Sequence, residues 1–272
     1  MWKWETGDEM PKGVFVLVHG AGEYHARYEW FINQLNQAGY HVVMGDLPGQ
    51  GLTEGPRGHI EAFDQYTVQV SLWLEEARTY KLPVVLFGHS MGGLIAVRTM
   101  LRLASKQRPD LLLLSSPCFA LFQAPGLPKK VLSKVLNPFL PKLMFPSNLE
   151  PGSGTRDEWM RRRDQNDDLL VKYVSVRWYR ELAEAMDTVH AEISRMPNMP
   201  VFISQAGDDR IVDKTAVRKW FNELDIDTKY YKEWPGLYHE VLNEPEKHQV
   251  LMHMLGFTAM HLSRARYGGH VT

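Results

Sequence analysis

Short runs of β-branched and aliphatic residues recur along the chain, at residues 14–18, 41–44, 84–87, 111–115 and 201–204, with a sixth strand-like run at 228–232. Most are too short for a helix and too continuous for a half-exposed strand, which is how a strand buried on both faces reads. Between them, apolar positions fall at intervals of three and four over roughly 27–38, 63–79, 91–105, 214–224 and 246–262. This alternation predicts an α/β fold, a mostly parallel sheet flanked by helices.

One stretch breaks the rhythm. Residues 117–196 show no clear strand, and they hold Pro125, Pro128, Pro138, Pro141, Pro146 and Pro151 among amphipathic pieces. So long an insertion between core strands is most simply a helical cap over the strand ends. The expected division is a core of 1–116 and 197–272 with the cap, 117–196, inserted. Within the cap, residues 131–145 are unusually apolar and carry Lys129, Lys130, Lys134 and Lys142 on their flanks or within them. An apolar stripe with a basic rim suits an element that touches lipid and admits an acyl chain; packing on the core is the plainer alternative. Residues 157–168 mix both charges densely and read as a solvated helix face. Arg161, Arg162, Arg163 and Arg57 are weak candidates for a phosphate.

Candidate chemistry sits where a strand meets a helix. Val84 to Phe87 leads into Gly88-His89-Ser90-Met91-Gly92, and an apolar helix pattern follows. This is G-x-S-x-G in its strand–turn–helix setting, the signature of an exposed nucleophilic serine. The turn is tight enough to require positive φ at Ser90. Side chains two residues before and after the serine would collide, so both positions are glycine.

A serine hydroxyl needs a base, and in this arrangement an acid and then a histidine follow it along the chain. The strand at 201–204 ends at Ala206-Gly207-Asp208-Asp209-Arg210-Ile211-Val212, and the strand at 228–232 leads to Trp234-Pro235-Gly236-Leu237-Tyr238-His239. Both put polar groups just past a strand's carboxyl end, where open α/β sheets bind ligands. His239 is the candidate base. Asp209 is favoured over Asp208 as its partner, because Ile211 and Val212 can anchor the turn while Asp209 faces the site. Two backbone N–H groups should receive the oxyanion: that of Met91, after the nucleophile, and that of Ala21, in the small-residue loop after the strand at 14–18. His89, inside the turn, is expected to pack there. Neither a dinucleotide nor a phosphate-loop motif occurs, nor H-E-x-x-H or C-x-x-C, so no cofactor and no metal are expected.

Five segments together resemble a known family: 17–28 (LVHGAGEYHARY), 45–60 (GDLPGQGLTEGPRGHI), 87–93 (FGHSMGG), 206–213 (AGDDRIVD) and 234–245 (WPGLYHEVLNEP). The chain resembles the monoacylglycerol lipase and lysophospholipase branch of the α/β-hydrolases, and most closely the bacillus-type lysophospholipase/phospholipase group. That resemblance implies the α/β-hydrolase fold and a serine carboxylic-ester hydrolase acting on a monoacyl lipid, a lysophospholipid or a monoacylglycerol. By position, Ser90, Asp209 and His239 match the triad, and Ala21 and Met91 the oxyanion donors. Tyr24, Gln50 and Thr53 depart from the more usual His, His and Ser of the family. Other readings are a general carboxylesterase, a phospholipase on diacyl lipids, a serine aminopeptidase, or a hydrolase-fold binding protein that turns nothing over.

Charge and composition narrow the partners. Lys and Arg number 31 against 32 Asp and Glu, for a net charge of −1. So even a balance argues against a nucleic-acid partner. A small lipid or ester is the expected partner, with transient contact to a membrane or micelle surface, and the oligomeric state is left open. With one cysteine, Cys118, no intrachain disulfide can form. No run is apolar and long enough to cross a bilayer and none reads as a signal peptide, so a cytoplasmic location is expected.

Overall fold

A computed structural model describes residues 1–147 and 149–267. Asn148 in the expected cap lies outside the described residues, as do the last five residues of the expected core, His270 among them. Seven strands form the main sheet: β1 (Trp2–Trp4), β2 (Gly13–Val18), β3 (Tyr40–Met44), β4 (Val84–His89), β5 (Leu111–Ser115), β8 (Val201–Ala206) and β9 (Lys229–Trp234). Their order is β1-β3-β2-β4-β5-β8-β9. All pairs are parallel except β1 with β3, a three-residue antiparallel edge too short to show a period in the sequence.

The continuous apolar runs are continuous because both faces of the sheet are covered. In β2, Val14, Val16 and Val18 join one buried cluster, while Phe15 and Leu17 join the other. The same alternation divides Leu112 and Leu114 from Leu111 and Leu113 in β5. The first cluster packs against α2 (Asp64–Arg78), α3 (Met91–Met100) and α7 (Lys214–Glu223) through Trp73, Ile95 and Trp220. The second packs against α1 (Glu29–Gln37) and α8 (Lys247–Tyr267) through Phe31, Leu35, Val250 and Met254.

Between β5 and β8 lie α4 (Leu127–Leu136), α5 (Glu158–Gln165), α6 (Val176–Ala191) and two short strands, β6 (Met144–Pro146) and β7 (Tyr173–Ser175). The absence of strands expected for this stretch is corrected by β6 and β7, which pair antiparallel outside the main sheet. Three residues each, with Pro146 inside β6, they leave no alternation to read. The expected helix over 91–105 ends early, at Met100.

Successive strands run outward from β2, first to β3 on one side and then to β4 on the other. This reversal opens a crevice at the strands' carboxyl ends. Val18 of β2 is in register with Gly88 of β4, and Ala206 of β8 with Trp234 of β9. The loops that follow these four strands therefore end beside one another in pairs.

Candidate active site

The turn after β4 is strained as expected. Ser90 has φ 53° and ψ −121°, a conformation that costs on the order of 1–3 kcal/mol and persists only when its surroundings enforce it. Backbone bonds on both sides enforce it. Ser90 N–H donates to Ser115 O at 2.9 Å, and Cys118 N–H donates to Ser90 O at 2.9 Å. A Cβ on Gly92 would sit 2.1 Å from Val18 O, and one on Gly88 would sit 2.4 Å from Gly92 O. Both glycines are thus required by close backbone approach.

The turn after β8 holds Asp209 by four hydrogen bonds. Its Oδ1 accepts from the N–H groups of Ile211 and Val212, each at 2.9 Å. Its Oδ2 accepts from Gln205 Nε2 at 3.1 Å and from His239 Nδ1 at 2.8 Å. Asp208, next to it, is exposed, and its backbone N–H is tied to Leu237 O at 2.9 Å. The structure therefore joins His239 to Asp209 and not to Asp208.

Asp209 is 6% exposed and His239 4%. Burial works against the charge on each, yet their mutual attraction and hydrogen bond outweigh it: Asp209 titrates below its ordinary value and His239 above it, with Glu240 and Glu23 adding to the latter. The carboxylate fixes Nδ1 as a donor and leaves Nε2 as the basic atom. Ser90 and His239 line the same cleft. Among the described residues the Ser90 hydroxyl makes no hydrogen bond, a looser geometry than the Ser–His contact that proton transfer needs.

The loop after β2 is locked from below. His19 Nε2 accepts from Leu47 N–H at 2.9 Å, so the proton is on Nδ1, which donates to Gly20 O at 2.9 Å. Burial lowers the pKa of His19 and keeps it neutral. Gly20 N–H donates to Glu23 Oε2 at 2.7 Å, and Gly22 N–H to the Gln50 side-chain oxygen. The neighbouring N–H of Ala21 and that of Met91 donate to nothing within the described chain. Gln50, one of the departures from the family pattern, thus shapes the loop that presents Ala21. Thr53, another, closes the turn around Gln50: its Oγ1 donates to Gln50 O and accepts from Gln50 N–H, at 2.6 and 3.2 Å. The third departure, Tyr24, donates its hydroxyl to Asp167 at 2.7 Å and ties this loop to the segment above.

Sequence reasoning missed one feature altogether. Arg27, 6% exposed, sits among three carboxylates. Its guanidinium pairs with both oxygens of Asp164 on α5, with Glu240 Oε2 at 3.0 Å and with Glu23 Oε1 at 3.3 Å. Glu23, despite its burial, is drawn down to about 2 by this charge and its other partners. Three carboxylates around one guanidinium cannot all be comfortable, and burial raises the pKa of Glu240. The signal was present in Glu23-Tyr24-His25-Ala26-Arg27, an i,i+4 acid–base pair, but its buried partners lie far along the chain.

Of the four cation candidates, Arg161 and Arg162 are exposed, and Arg57 and Arg163 are held by structural partners. Arg57 donates to Gly51 O at 2.7 Å and to Leu169 O, and Arg163 pairs with Asp164 at 2.8 Å. His89 packs beneath the site as expected, its ring centroid 4.8 Å from that of His239. Burial lowers the pKa of His89 to about 4, so it stays neutral there. His25 Nδ1 lies 2.9 Å from Asp46 Oδ1.

Residues 9–246 match the Hydrolase_4 family, described as "Serine aminopeptidase, S33". The chain belongs to this family. Within it, the chain is 45% identical to phospholipase YtpA of Bacillus subtilis over 264 residues, 96% of this chain and 100% of that protein. It is 27% identical to the monoglyceride lipase of Homo sapiens over 251 residues, 89% of this chain and 80% of that protein. The crystal structure of Paleococcus ferrophilus monoacylglycerol lipase superposes with a TM-score of 0.85 at 29% identity, covering 96% of this chain and 98% of that chain. The Hydrolase_4 chain described here is an α/β-hydrolase, and these relatives confirm the branch its motifs resemble. It is an ester hydrolase of that branch.

Proposed function

We propose that the chain cleaves the fatty-acyl ester of a monoacyl lipid, a lysophospholipid or a monoacylglycerol, through an acyl-enzyme on Ser90. The observation that carries this reading is the buried His239–Asp209 pair at 2.8 Å, opening onto the same cleft as Ser90. His239 Nε2 takes the Ser90 proton as Oγ attacks the ester carbonyl. The carbonyl oxygen becomes an oxyanion and is received by the Ala21 and Met91 N–H groups. The oxyanion collapses, the alcohol leaves with the proton from His239, and the acyl group stays on Oγ. Water, deprotonated by the same ring, then releases the fatty acid and returns the proton to Ser90. Throughout, Asp209 holds the ring's tautomer and steadies its charged form.

Residues 117–196 act in this reading as a cap. They are fixed to the core by Val171 N–H on Gly22 O at 3.0 Å, Glu240 N–H on Gly154 O at 2.8 Å and Ser175 N–H on Gly58 O at 2.9 Å. Phe145, at the end of the apolar cap segment, packs on the core, but most of the segment's apolar side chains do not. Val131, Leu132, Val135, Phe139, Leu140 and Leu143 are all exposed, Phe139 by 80%. With Lys130, Lys134 and Lys142 nearby, this face fits the surface of a lipid aggregate carrying anionic groups. No helix among the described residues is long and apolar enough to cross a membrane. A chain whose one cysteine, Cys118, is buried and free fits a cytoplasmic setting.

Aminopeptidase chemistry needs a carboxylate free to hold the substrate's ammonium. Glu23, Asp164 and Glu240 are committed to Arg27 and Asp167 accepts from Tyr24, so among the carboxylates lining the cleft that role would fall to Glu150 alone, and an anilide substrate measures it. A panel that varies head group and acyl length independently, with an amino-acid anilide included and Ser90→Ala as control, tests the proposal. Turnover of monoacyl lipids above that of diacyl lipids, short esters and the anilide is the expected result. Preference for the anilide or for short esters would overturn it.

A further inference from the structure

The cleft beside Ser90 holds about 70 Å³ of space for water-sized groups and is open to solvent on one side. It is lined from below by the Gly20–Glu23 loop, Ser90 and His239, and from above by two cap stretches, 149–154 and 170–172. Two cationic residues line it, Arg27 and Lys172. Arg27 is saturated by its three carboxylates. Lys172 is exposed, and among the described residues its ammonium makes no hydrogen bond or ion pair. Of the four carboxylates in the lining, Glu23, Asp164 and Glu240 are spent on Arg27. The fourth, Glu150, is likewise exposed, with its side chain unpaired among the described residues.

The backbone around Lys172 is not free to drift. Val171 N–H donates to Gly22 O at 3.0 Å, one residue from Ala21, and Lys172 O accepts from Ser147 N–H at 2.9 Å. Lys172 is therefore anchored on both sides within reach of the oxyanion loop. An exposed, unpaired lysine and an exposed, unpaired glutamate, on two different stretches lining one cleft, are the complement of a head group carrying both charges.

We propose that this cleft is a head-group subsite, in which Lys172 binds the phosphate of a lysophospholipid and Glu150 faces the ammonium of a zwitterionic head. The inference rests on the reading of the chain as a monoacyl-lipid hydrolase and makes its substrate a phosphate-bearing one. A monoacylglycerol carries neither charge and gains from neither residue. A phosphate gains a charge-assisted hydrogen bond from a lysine, which acts as a point charge. That geometry does not demand a bidentate fork, so arginine can substitute.

The test uses the full chain with three substrates of one acyl length in mixed micelles of fixed composition: lysophosphatidylethanolamine, lysophosphatidylglycerol and 1-monoacylglycerol. Lys172→Gln should lower kcat/KM for both phosphate-bearing substrates about tenfold relative to monoacylglycerol, mainly through KM, and Lys172→Arg should restore most of it. Glu150→Gln should lower the ratio of the ethanolamine to the glycerol phospholipid severalfold. As a readout apart from turnover, glycerophosphoethanolamine should compete with monoacylglycerol hydrolysis, about tenfold more weakly in Lys172→Gln. If Lys172→Gln moves all three substrates equally, or none, Lys172 does not read phosphate and the inference fails while lipid-ester hydrolysis stands. If the wild-type chain cleaves none of the three, the lipid reading itself fails and takes the subsite with it.

Discussion

Replacing Arg27 with methionine removes the positive charge from a buried pocket of three carboxylates while keeping most of the apolar stem, so that little cavity is created. Glu23 shows what the charge contributes. Its pKa falls from the ordinary 4.5 to about 2, against the opposing effect of burial, and at about 1.4 kcal/mol per pH unit that is about 3 kcal/mol of stabilisation. Arg27 is the largest source of that fall, with His89, Tyr28 and His19 adding to it, and Arg27 also neutralises Asp164 and Glu240. Breaking a buried pair from one side costs about 3–5 kcal/mol, so Arg27→Met should lose about that much at pH 7.5. The loss must depend on pH in a definite sense. Without Arg27, the buried carboxylates titrate above their unfolded values, a penalty present at high pH and relieved as pH falls through the raised pKa. In the wild type, the contribution of Glu23 is complete above its unfolded pKa and is lost only toward about 2. Urea unfolding of both proteins at pH 7.5 and pH 5 measures the difference. The deficit should be large at pH 7.5 and smaller at pH 5. A deficit under about 1 kcal/mol, or one that grows on acidification, would refute the reasoning.

The raised pKa of His239 sets the acid limb of activity: kcat/KM should fall on acidification with a midpoint above the ordinary 6.5, and a flat profile from pH 5 to 8 would contradict the base role. Asp209→Asn removes the main opposing force to burial, so it should lower that midpoint as well as kcat. Gly92→Ala drives a methyl into Val18 O and should destabilise the fold by about 3 kcal/mol or more, read as a lowered unfolding midpoint; retained stability would mean that the turn can relax. Replacing Leu132 and Phe139 with Asp should weaken vesicle binding and activity on micelles but leave thermal stability near wild type, since both side chains are exposed; equal loss on a monomeric short ester would count against surface docking. Burial pushes the Cys118 thiol up to about 12, so iodoacetamide should modify it only after unfolding.

Much of this molecule can be read from its sequence, for reasons that differ from place to place. The inner strands declare themselves because burial on both faces demands unbroken apolar runs, as in Val14 to Val18. The strained turn at Ser90 declares itself because backbone contacts on either side admit only glycine. The choice of Asp209 over Asp208 is legible too, since the Ile211 and Val212 amides that anchor it follow directly in the chain. What stays hidden depends on partners distant in sequence. Arg27 meets Asp164, 137 residues on, and Glu240, 213 residues on, only once the chain has folded. The unpaired state of Lys172 is equally invisible, since a surface lysine looks the same whether or not it borders a cleft. The hairpin β6–β7 is too short for its pattern to stand out.

The most direct test is intact-mass analysis after treatment with an alkyl fluorophosphonate, followed by peptide mapping. A single adduct is expected on the peptide containing Ser90, absent in Ser90→Ala and formed orders of magnitude more slowly in His239→Ala. An adduct on another residue, or undiminished labelling without the imidazole of His239, would contradict the account of how this chain activates its nucleophile.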